Sequence, residues 1–309
     1  MKVVSYLKTV PAKNSNIQKE LLLKKFVEGV NVAGDTGIVH TDINLVNCDV
    51  AMIQGWVHQN KTPQHLMLRD KLILTQKKAN KYVATADANL FLYHNKTNPH
   101  GYLRYSFNDV FPQNGIYCDD NPDPMRWQQI QQDTGITLKP YKKQGAWIVL
   151  MLQRNGGWSM NGKDVQQWAL ETIKKIRQHS NRPIVVRPHP GDKQAKVYLQ
   201  PHKTILKNLP NVKISPQDRP LEEDLRKAWA VVNHNSSAVV GPIIHGYHCF
   251  LTDPKSSQCR EVSNTDFSKI ETPVEFDRQR WLERISMMHW KFSELEDGTC
   301  WRHMRNYCQ

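Results

Sequence analysis

Two short apolar runs, each of which stops abruptly at polar residues, constrain the possible fold of this chain most strongly. Residues 184–186 (IVV) lead into 187–191 (RPHPG), and residues 230–232 (AVV) lead into 233–237 (NHNSS). Short continuous apolar runs are typical of strands in a parallel sheet that is covered on both faces. Ligands of open α/β sheets bind at the carboxyl ends of the strands, so both polar segments are predicted to lie at a ligand-binding edge.

Each polar segment also has a purely structural interpretation. The prolines and the glycine of 187–191 can simply shape a loop, and Asn235 or Ser236 can simply cap a helix. Alternatively, Ser236 and Ser237 leave backbone N–H groups of a helix start free to bind phosphate. For either segment alone the two interpretations are equally good, and the combination favours ligand binding.

Together and in this order, the two segments resemble the C-terminal half of GT-B-type glycosyltransferases, and the resemblance covers residues 147–250. In that family an Arg-Pro-His-Pro loop and a later Ser-Ser strand-to-helix turn contact the nucleotide-sugar donor. A glycine pair after the strand at 146–152 adds a turn where backbone can approach a ligand closely. Donor binding without a metal or another cofactor is therefore expected of nine residues: Arg154, Gly156, Gly157, Arg187, His189, His234, Asn235, Ser236 and Ser237.

The resemblance implies an α/β fold of the GT-B type, in which two Rossmann-like domains with parallel sheets face a central cleft and a C-terminal helix crosses over. The sequence agrees, because strand-like and helix-like segments alternate in two runs. Three regions are expected. An acceptor-binding domain occupies 1–140, a donor-binding domain occupies 146–270, and a helical region at 271–309 packs back on the first domain.

Local patterns predict individual elements. Hydrophobic periodicity predicts an amphipathic helix at 165–176 and a C-terminal helix that reaches from Trp281 to Phe292. A short helix is predicted at 221–229. The segment 95–117 is rich in Asn, Pro, Gly and aromatic residues, which predicts an irregular loop.

Glycosyl transfer requires a group that takes a proton from the acceptor hydroxyl. Asp87 is the first choice, because it ends a predicted strand and resembles the acidic residue before the acceptor loop of related enzymes. His58 and Asp42 have similar positions and remain alternatives, and an acid in such a place can also be a plain loop residue. Glu275 and Glu283 match the spacing of a glutamate pair in retaining GT-B enzymes, but they lie after the alternating strands, so an inverting reaction is expected.

The acceptor site is expected in the irregular segment, through Arg104, Tyr105 and Asn108. The formal net charge is +13, and residues 61–81 form a basic stretch that is either a solvated helix face or a track for a phosphate backbone. Three features favour DNA as the acceptor. They are the positive charge, the aromatic residues suited to base stacking, and a resemblance to bacteriophage enzymes that glycosylate hydroxymethylated DNA bases. The resemblance to capsule-type enzymes keeps glycans open, and a small-molecule acceptor is the third alternative.

Other functions remain open beside transfer from a UDP-sugar, the favoured donor. A sugar-nucleotide epimerase or a polyol-phosphate transferase could share the fold, and a basic nucleic-acid-binding protein is the alternative outside enzymes. The six cysteines form no CxxC pair, which argues against a zinc site or a disulfide framework. No apolar run is long enough to span a membrane and no signal peptide is evident, so a cytoplasmic location is predicted, in the host cell if a phage encodes the chain.

Overall fold

The computed structural model describes residues 1–11, 17–57, 62–91, 100–156, 158–199 and 205–308. The chain divides into two compact units, of which the first combines residues 1–135 with 282–309 and the second comprises 136–281. Each unit is built on one sheet with parallel strands and helices, which confirms the predicted α/β fold class. None of the helices within the described ranges is long and apolar enough to cross a membrane.

The strands, in chain order, are β1 Lys2–Tyr6, β2 Thr36–His40, β3 Val50–Gln54, β4 Tyr82–Asp87, β5 Leu103–Phe107, β6 Trp147–Met151, β7 Ile184–Arg187, β8 Val212–Ile214, β9 Ala228–Asn233, β10 His248–Leu251 and β11 His289–Trp290. The α-helices are α1 Ile17–Val32, α2 Gln64–Lys78, α3 Pro124–Thr134, α4 Val165–Arg177, α5 Ala195–Tyr198, α6 Leu221–Leu225, α7 Val240–Ile244, α8 Arg278–Ser286, α9 Phe292–Glu296 and α10 Thr299–Met304.

The first unit has a six-stranded sheet in the order β11-β5-β4-β3-β1-β2. The strands β1 to β4 are parallel, whereas β5 runs antiparallel to β4 and β11 runs antiparallel to β5. Aromatic residues of α1, β5 and α10 fill one face of the sheet, where Phe26, Tyr105 and Trp301 are fully buried. The other face is covered by α2 through Leu68 and Leu72.

Two predicted elements of the first unit need correction. The segment expected to be an irregular loop contains β5, because its alternate residues Tyr105 and Phe107 pack into the core. The C-terminal helix expected to run on to Phe292 ends at Ser286, because the next residues form β11 and hydrogen-bond along β5. Both differences involve β5, which pairs with β4 on one side and with β11, from a distant part of the chain, on the other.

The second unit has a five-stranded, fully parallel sheet in the order β10-β9-β6-β7-β8. Helix α4 covers it with the predicted apolar face, on which Trp168, Ile173 and Ile176 are buried. The helix predicted at 221–229 is shorter than expected, since α6 ends at Leu225 and Ala228 already begins β9. The parallel order places the ends of β6, β7, β9 and β10 along one edge, and this edge carries the polar segments singled out in the sequence.

Candidate functional site

A buried aspartate joins the loops that follow β6 and β7 at the carboxyl edge of the second sheet. The carboxylate of Asp192 accepts hydrogen bonds from the backbone N–H of Asn155 (3.1 Å), the backbone N–H of Gln194 (3.0 Å) and the hydroxyl of Tyr198 (2.7 Å). One side chain therefore fixes two loops of different strands relative to each other. Such a brace is what a preorganised binding loop requires.

The side chains of Arg154 and His189 both lie against Gly191 in these loops. A Cβ atom at Gly191 would lie only 2.6 Å from Nη2 of Arg154, so the guanidinium group occupies the space that the missing side chain leaves. Nδ1 of His189 accepts a hydrogen bond from the backbone N–H of Gly191 at 2.9 Å. Burial lowers the pKa of His189, and the nearby Arg154 guanidinium lowers it further. The ring is therefore neutral near pH 7 with its proton on Nε2, which is placed to donate.

Arg187, the first residue of the RPHP motif, has a different environment. Its side chain is buried, with Nη1 2.6 Å from Oδ2 of Asp224 and Nη2 donating to the backbone carbonyl of Arg219 at 2.8 Å. The hydroxyl of Ser215 also donates to the Asp224 carboxylate, at 2.8 Å. The guanidinium group is thus committed to protein partners, and this corrects the expectation that Arg187 binds the donor directly.

A reciprocal amide pair connects the ends of β6 and β9. The side chain of Gln153 accepts from the backbone N–H of Asn235 (3.0 Å) and donates to Oδ1 of Asn235 (2.9 Å). Nδ2 of Asn235 donates to the carboxylate of Asp253 (2.9 Å) and to the backbone carbonyl of Ser159 (3.0 Å). Both donor positions of the amide are used, so Asn235 braces the edge, which corrects its assignment as a direct donor contact.

His234 is buried beside this network, and one of its ring nitrogens makes no hydrogen bond. Its Nδ1 lies 2.7 Å from the hydroxyl of Thr252, which also accepts a hydrogen bond from the indole N–H of Trp168 at 3.0 Å. Its Nε2 has no hydrogen-bond partner and lies 3.9 Å from Oδ2 of Asp253. Burial lowers the pKa of His234, and the charge of Asp253 opposes that shift. Because buried polar atoms are seldom left unpaired, Nε2 is a candidate ligand contact.

The serine turn after β9 supports the capping interpretation. The hydroxyl of Ser236 accepts a hydrogen bond from the backbone N–H of Ala238 at 3.1 Å, and the backbone N–H of Ser236 is itself bound by Asn233. These two N–H groups are therefore not free for phosphate, whereas Ser237 is exposed at the start of a 3₁₀ turn. Gly156 is exposed with a φ of +68°, which an L side chain rarely adopts.

Gly157, predicted as a donor contact, and His58, an alternative base, lie outside the described residues. Asp42 is exposed just after β2. Within the described parts of the chain, no group of three or more His, Cys, Asp or Glu side chains is arranged to hold a metal ion.

Asp87 ends β4 in the first unit and forms an ion pair with Arg104. Nη2 of Arg104 lies 2.7 Å from Oδ2 of Asp87, and Oδ1 of Asp87 accepts from the backbone N–H of Ala88 at 2.8 Å. The carboxylate remains partly exposed, while the Arg104 side chain is buried and its Nε and Nη1 have no partner. The structure therefore brings Asp87 and Arg104 together, as their shared register between β4 and β5 requires.

The other two predicted acceptor residues do not join them. Tyr105 points into the core and is fully buried, so it cannot line a surface. Asn108 lies at the opposite end of β4, where its Oδ1 accepts from the backbone N–H of Val83 at 3.0 Å and its φ is +65°. Both assignments are corrected, because an antiparallel strand places successive residues on opposite faces and carries the chain away from Asp87.

Three functional candidates escaped the sequence analysis, namely Gln153, Asp192 and Asp253. Each directly follows or lies close behind the end of a strand, and each hydrogen-bonds to backbone or side-chain groups of a neighbouring loop. Their position at strand ends was a usable signal. Their partners were not predictable, because those partners lie in other segments of the chain.

No protein-family model matches this chain, and no curated protein matches its sequence. Among solved structures, it is similar to two transferases from Thermosulfurimonas dismutans. They are the KpsC β-Kdo 2,4 transferase (TM-score 0.48, 12% identity, covering 93% of this chain and 90% of that chain) and the KpsC β-Kdo 2,7 transferase (0.47, 11%, 97% and 99%). It is also similar to a UDP-GlcNAc 2-epimerase from Methanocaldococcus jannaschii in complex with UDP-GlcNAc and UDP (0.34, 11%, 99% and 100%). Similarity this weak does not identify the activity of the chain.

Proposed function

We propose that the chain is a GT-B-type glycosyltransferase that uses a nucleotide diphosphate sugar, with a UDP-sugar as the favoured donor. The observation that carries this proposal is the placement of Arg154 and His189 against Gly191. A diphosphate leaving group gains negative charge as the glycosidic bond to the sugar breaks. A guanidinium group and a neutral imidazole N–H in the same loops stabilise that charge, and Gly191 leaves the room that the guanidinium group occupies.

The surrounding braces support the same assignment. Asp192 fixes the Arg154 loop against the His189 loop, and the pair of Gln153 and Asn235 fixes the end of β9. A site that is already rigid stabilises developing charge without reorganising during the reaction. We assign the unpartnered Nε2 of His234 to a hydrogen bond with the donor.

Asp87 is the proposed general base of an inverting reaction, with Arg104 orienting its carboxylate.

A sugar hydroxyl is the acceptor that we favour. For hydroxymethylated DNA, the acceptor expected from the sequence, the net charge of +13 is the remaining support. The aromatic side chains that would stack on a flipped base, Tyr102, Tyr105 and Phe107, are buried in the first unit.

Donor binding is tested by calorimetry with UDP-, GDP-, CDP- and ADP-linked sugars. Loss of a charge-assisted contact in R154A is expected to weaken binding of the preferred donor about tenfold to a hundredfold. The H189A variant is expected to weaken it less, because a neutral N–H contributes less than a guanidinium group. The matched control is K174A, which removes an exposed cation near the far end of α4. Unchanged affinity in R154A and H189A, with normal folding, would contradict the proposed donor site.

The reaction is tested by incubating the protein with radiolabelled sugar nucleotide and either oligosaccharides or hydroxymethylated DNA. Label on oligosaccharide supports the favoured acceptor, and label on DNA alone supports the acceptor predicted from the sequence. Conversion of the sugar nucleotide to an isomer without any acceptor would instead identify an epimerase. The D87N variant is expected to lose transfer while it keeps donor affinity, which separates the base from the donor site.

A further inference from the structure

The solvent face of α2 carries an apolar and basic stripe that the proposed reaction does not use. Met67 and Leu74 are 52% and 51% exposed, although most of the large apolar side chains that the structure describes are buried. Lys71 and Lys78 are exposed on the same face, since the four residues follow one another at spacings of four, three and four. Among the residues that the structure describes, no carboxylate pairs with either lysine.

A cavity of about 430 Å³ flanks this stripe near the C-terminal end of α2. Its lining combines an apolar floor with two lysines and two asparagines: Ile73, Lys77, Asn80, Lys81, Tyr82, Val83, Asn108 and Ile116. The ammonium group of Lys81 is held by Asn47 at 3.0 Å, whereas Lys77 is exposed and extends the basic stripe to the cavity. The volume is in the range of small-molecule sites.

The cavity and the stripe lie away from the proposed base. Tyr82 and Val83 begin β4, whereas Asp87 ends it, so the cavity and Asp87 are at opposite ends of one strand. A strand of this length spans about 17 Å. The surface is therefore a second site on the first unit, and its occupant does not have to be the substrate.

We propose that this face of α2 and the adjoining cavity dock the protein on an anionic lipid bilayer. Half-exposed apolar side chains flanked by lysines are what a helix in the membrane interface presents, because the apolar groups enter the acyl boundary while the ammonium groups meet lipid phosphates. The lysines without carboxylate partners supply the charge complementarity. The apolar and polar lining of the cavity accommodates one lipid headgroup with its glycerol region.

Nucleic acid is the competing partner for a basic surface. Contacts to a phosphate backbone come from basic and polar side chains and do not require exposed aliphatic groups. Met67 and Leu74 alternate with Lys71 and Lys78 along the stripe, so they would be solvated against a duplex and buried against a bilayer. The apolar pair therefore distinguishes the two partners and is the centre of the test.

Flotation of the full chain with vesicles of phosphatidylcholine, with and without 30 mol% phosphatidylglycerol (about one anionic lipid in three), tests the proposal. Binding to the anionic vesicles and release by high salt are expected. Each lysine near the surface contributes about fivefold to partitioning, so K71Q/K78Q is expected to bind about 25-fold more weakly. The apolar variant M67S/L74S is expected to bind about tenfold more weakly.

Two control variants match these changes elsewhere on the surface. K174Q/K269Q removes two exposed lysines of the second unit, and M125S/V274S removes two apolar side chains that are also about half exposed. Both controls are expected to bind like the unmodified chain. Failure to float with anionic vesicles overturns the proposal, as does equal loss in the controls. Binding to duplex DNA that is unchanged in M67S/L74S, without vesicle binding, would assign the surface to nucleic acid. Calorimetry with sugar nucleotides reports separately on the donor site.

Discussion

Arg154 follows β6 and Arg187 ends the neighbouring strand β7, yet their guanidinium groups have different surroundings. Arg154 is exposed beside His189, and Arg187 is buried against Asp224. The sequence presents both as arginines at strand ends, which is why both were expected to bind the donor. The partner of Arg187 lies 37 residues further along the chain. No local pattern could show that pairing, whereas the strands themselves were evident from their apolar runs.

At this scale we predict that Arg187 acts on stability. The substitution R187M removes the buried cation that lies 2.6 Å from the Asp224 carboxylate and leaves only the partly exposed Arg219, whose Nη1 lies 3.6 Å from Oδ1. The free energy of unfolding is therefore expected to fall by about 3 kcal/mol. Chemical denaturation monitored by circular dichroism measures the change. The double variant R187M/D224L removes both charges and is expected to recover most of the loss. R154M is the control, with a change of about 0.5 kcal/mol or less. Similar stabilities of R187M and R154M would contradict the prediction.

At the scale of elements, strands that show a local apolar pattern were predicted from the sequence, whereas pairings between distant segments were not. The strands β6, β7 and β9 were predicted because each is a short apolar run. The pairing of β11 with β5 was not predicted, because about 185 residues separate the opposed His289 and Arg104. The burial of His289 was not predicted for the same reason, because its partners are far away in the sequence. Its imidazole accepts a hydrogen bond from the backbone N–H of Leu90 at 3.1 Å.

The burial of His289 in β11 predicts an acid-sensitive stability. Burial lowers the pKa of His289 to about 3 in the folded chain, whereas the unfolded chain takes up this proton near 6.5. Between these values the unfolded state binds more protons, so stability is complete above the unfolded pKa and falls as the pH falls. The loss attributable to His289 is expected to be about 2 kcal/mol at pH 5.

Denaturation at pH 7.5 and pH 5 measures this contribution. The variant H289Q is expected to lose about 2 kcal/mol less between these two pH values than the unmodified chain does. The exposed His179 provides the matched control H179Q. An identical pH dependence of the unmodified chain and H289Q would show that His289 is not the acid-sensitive group.

At the scale of the whole molecule, the two units differ in continuity. The second unit is a single segment, 136–281, whereas the first is interrupted and takes residues 282–309 from beyond it. Residues from both parts of the first unit share one core, as the packing of Trp301 against Phe26 shows, with ring centroids 5.8 Å apart. The proposed donor site lies within the continuous unit, and the proposed base lies in the interrupted one.

This continuity predicts how the chain can be divided. A fragment of residues 136–281 is expected to melt cooperatively and to bind the preferred nucleotide within about tenfold of the full chain, because its sheet and site are complete. A fragment of residues 1–135 lacks β11, α9 and α10 and is expected to be unfolded. Thermal melting and calorimetry measure both outcomes. A folded fragment 1–135, or a 136–281 fragment that does not fold, would contradict the prediction.

The interrupted first unit also sets the order of events on the ribosome. Its N-terminal part emerges first, but the groups that cover Phe26 and Tyr105 emerge only after residues 136–281 have been synthesised. At about 5–20 residues per second, that delay lasts about 7–30 s. During this interval a nascent chain exposes an aromatic sheet face while the later-made second unit can already close. Chaperones that hold unfinished chains should therefore bind this protein through its first-made half.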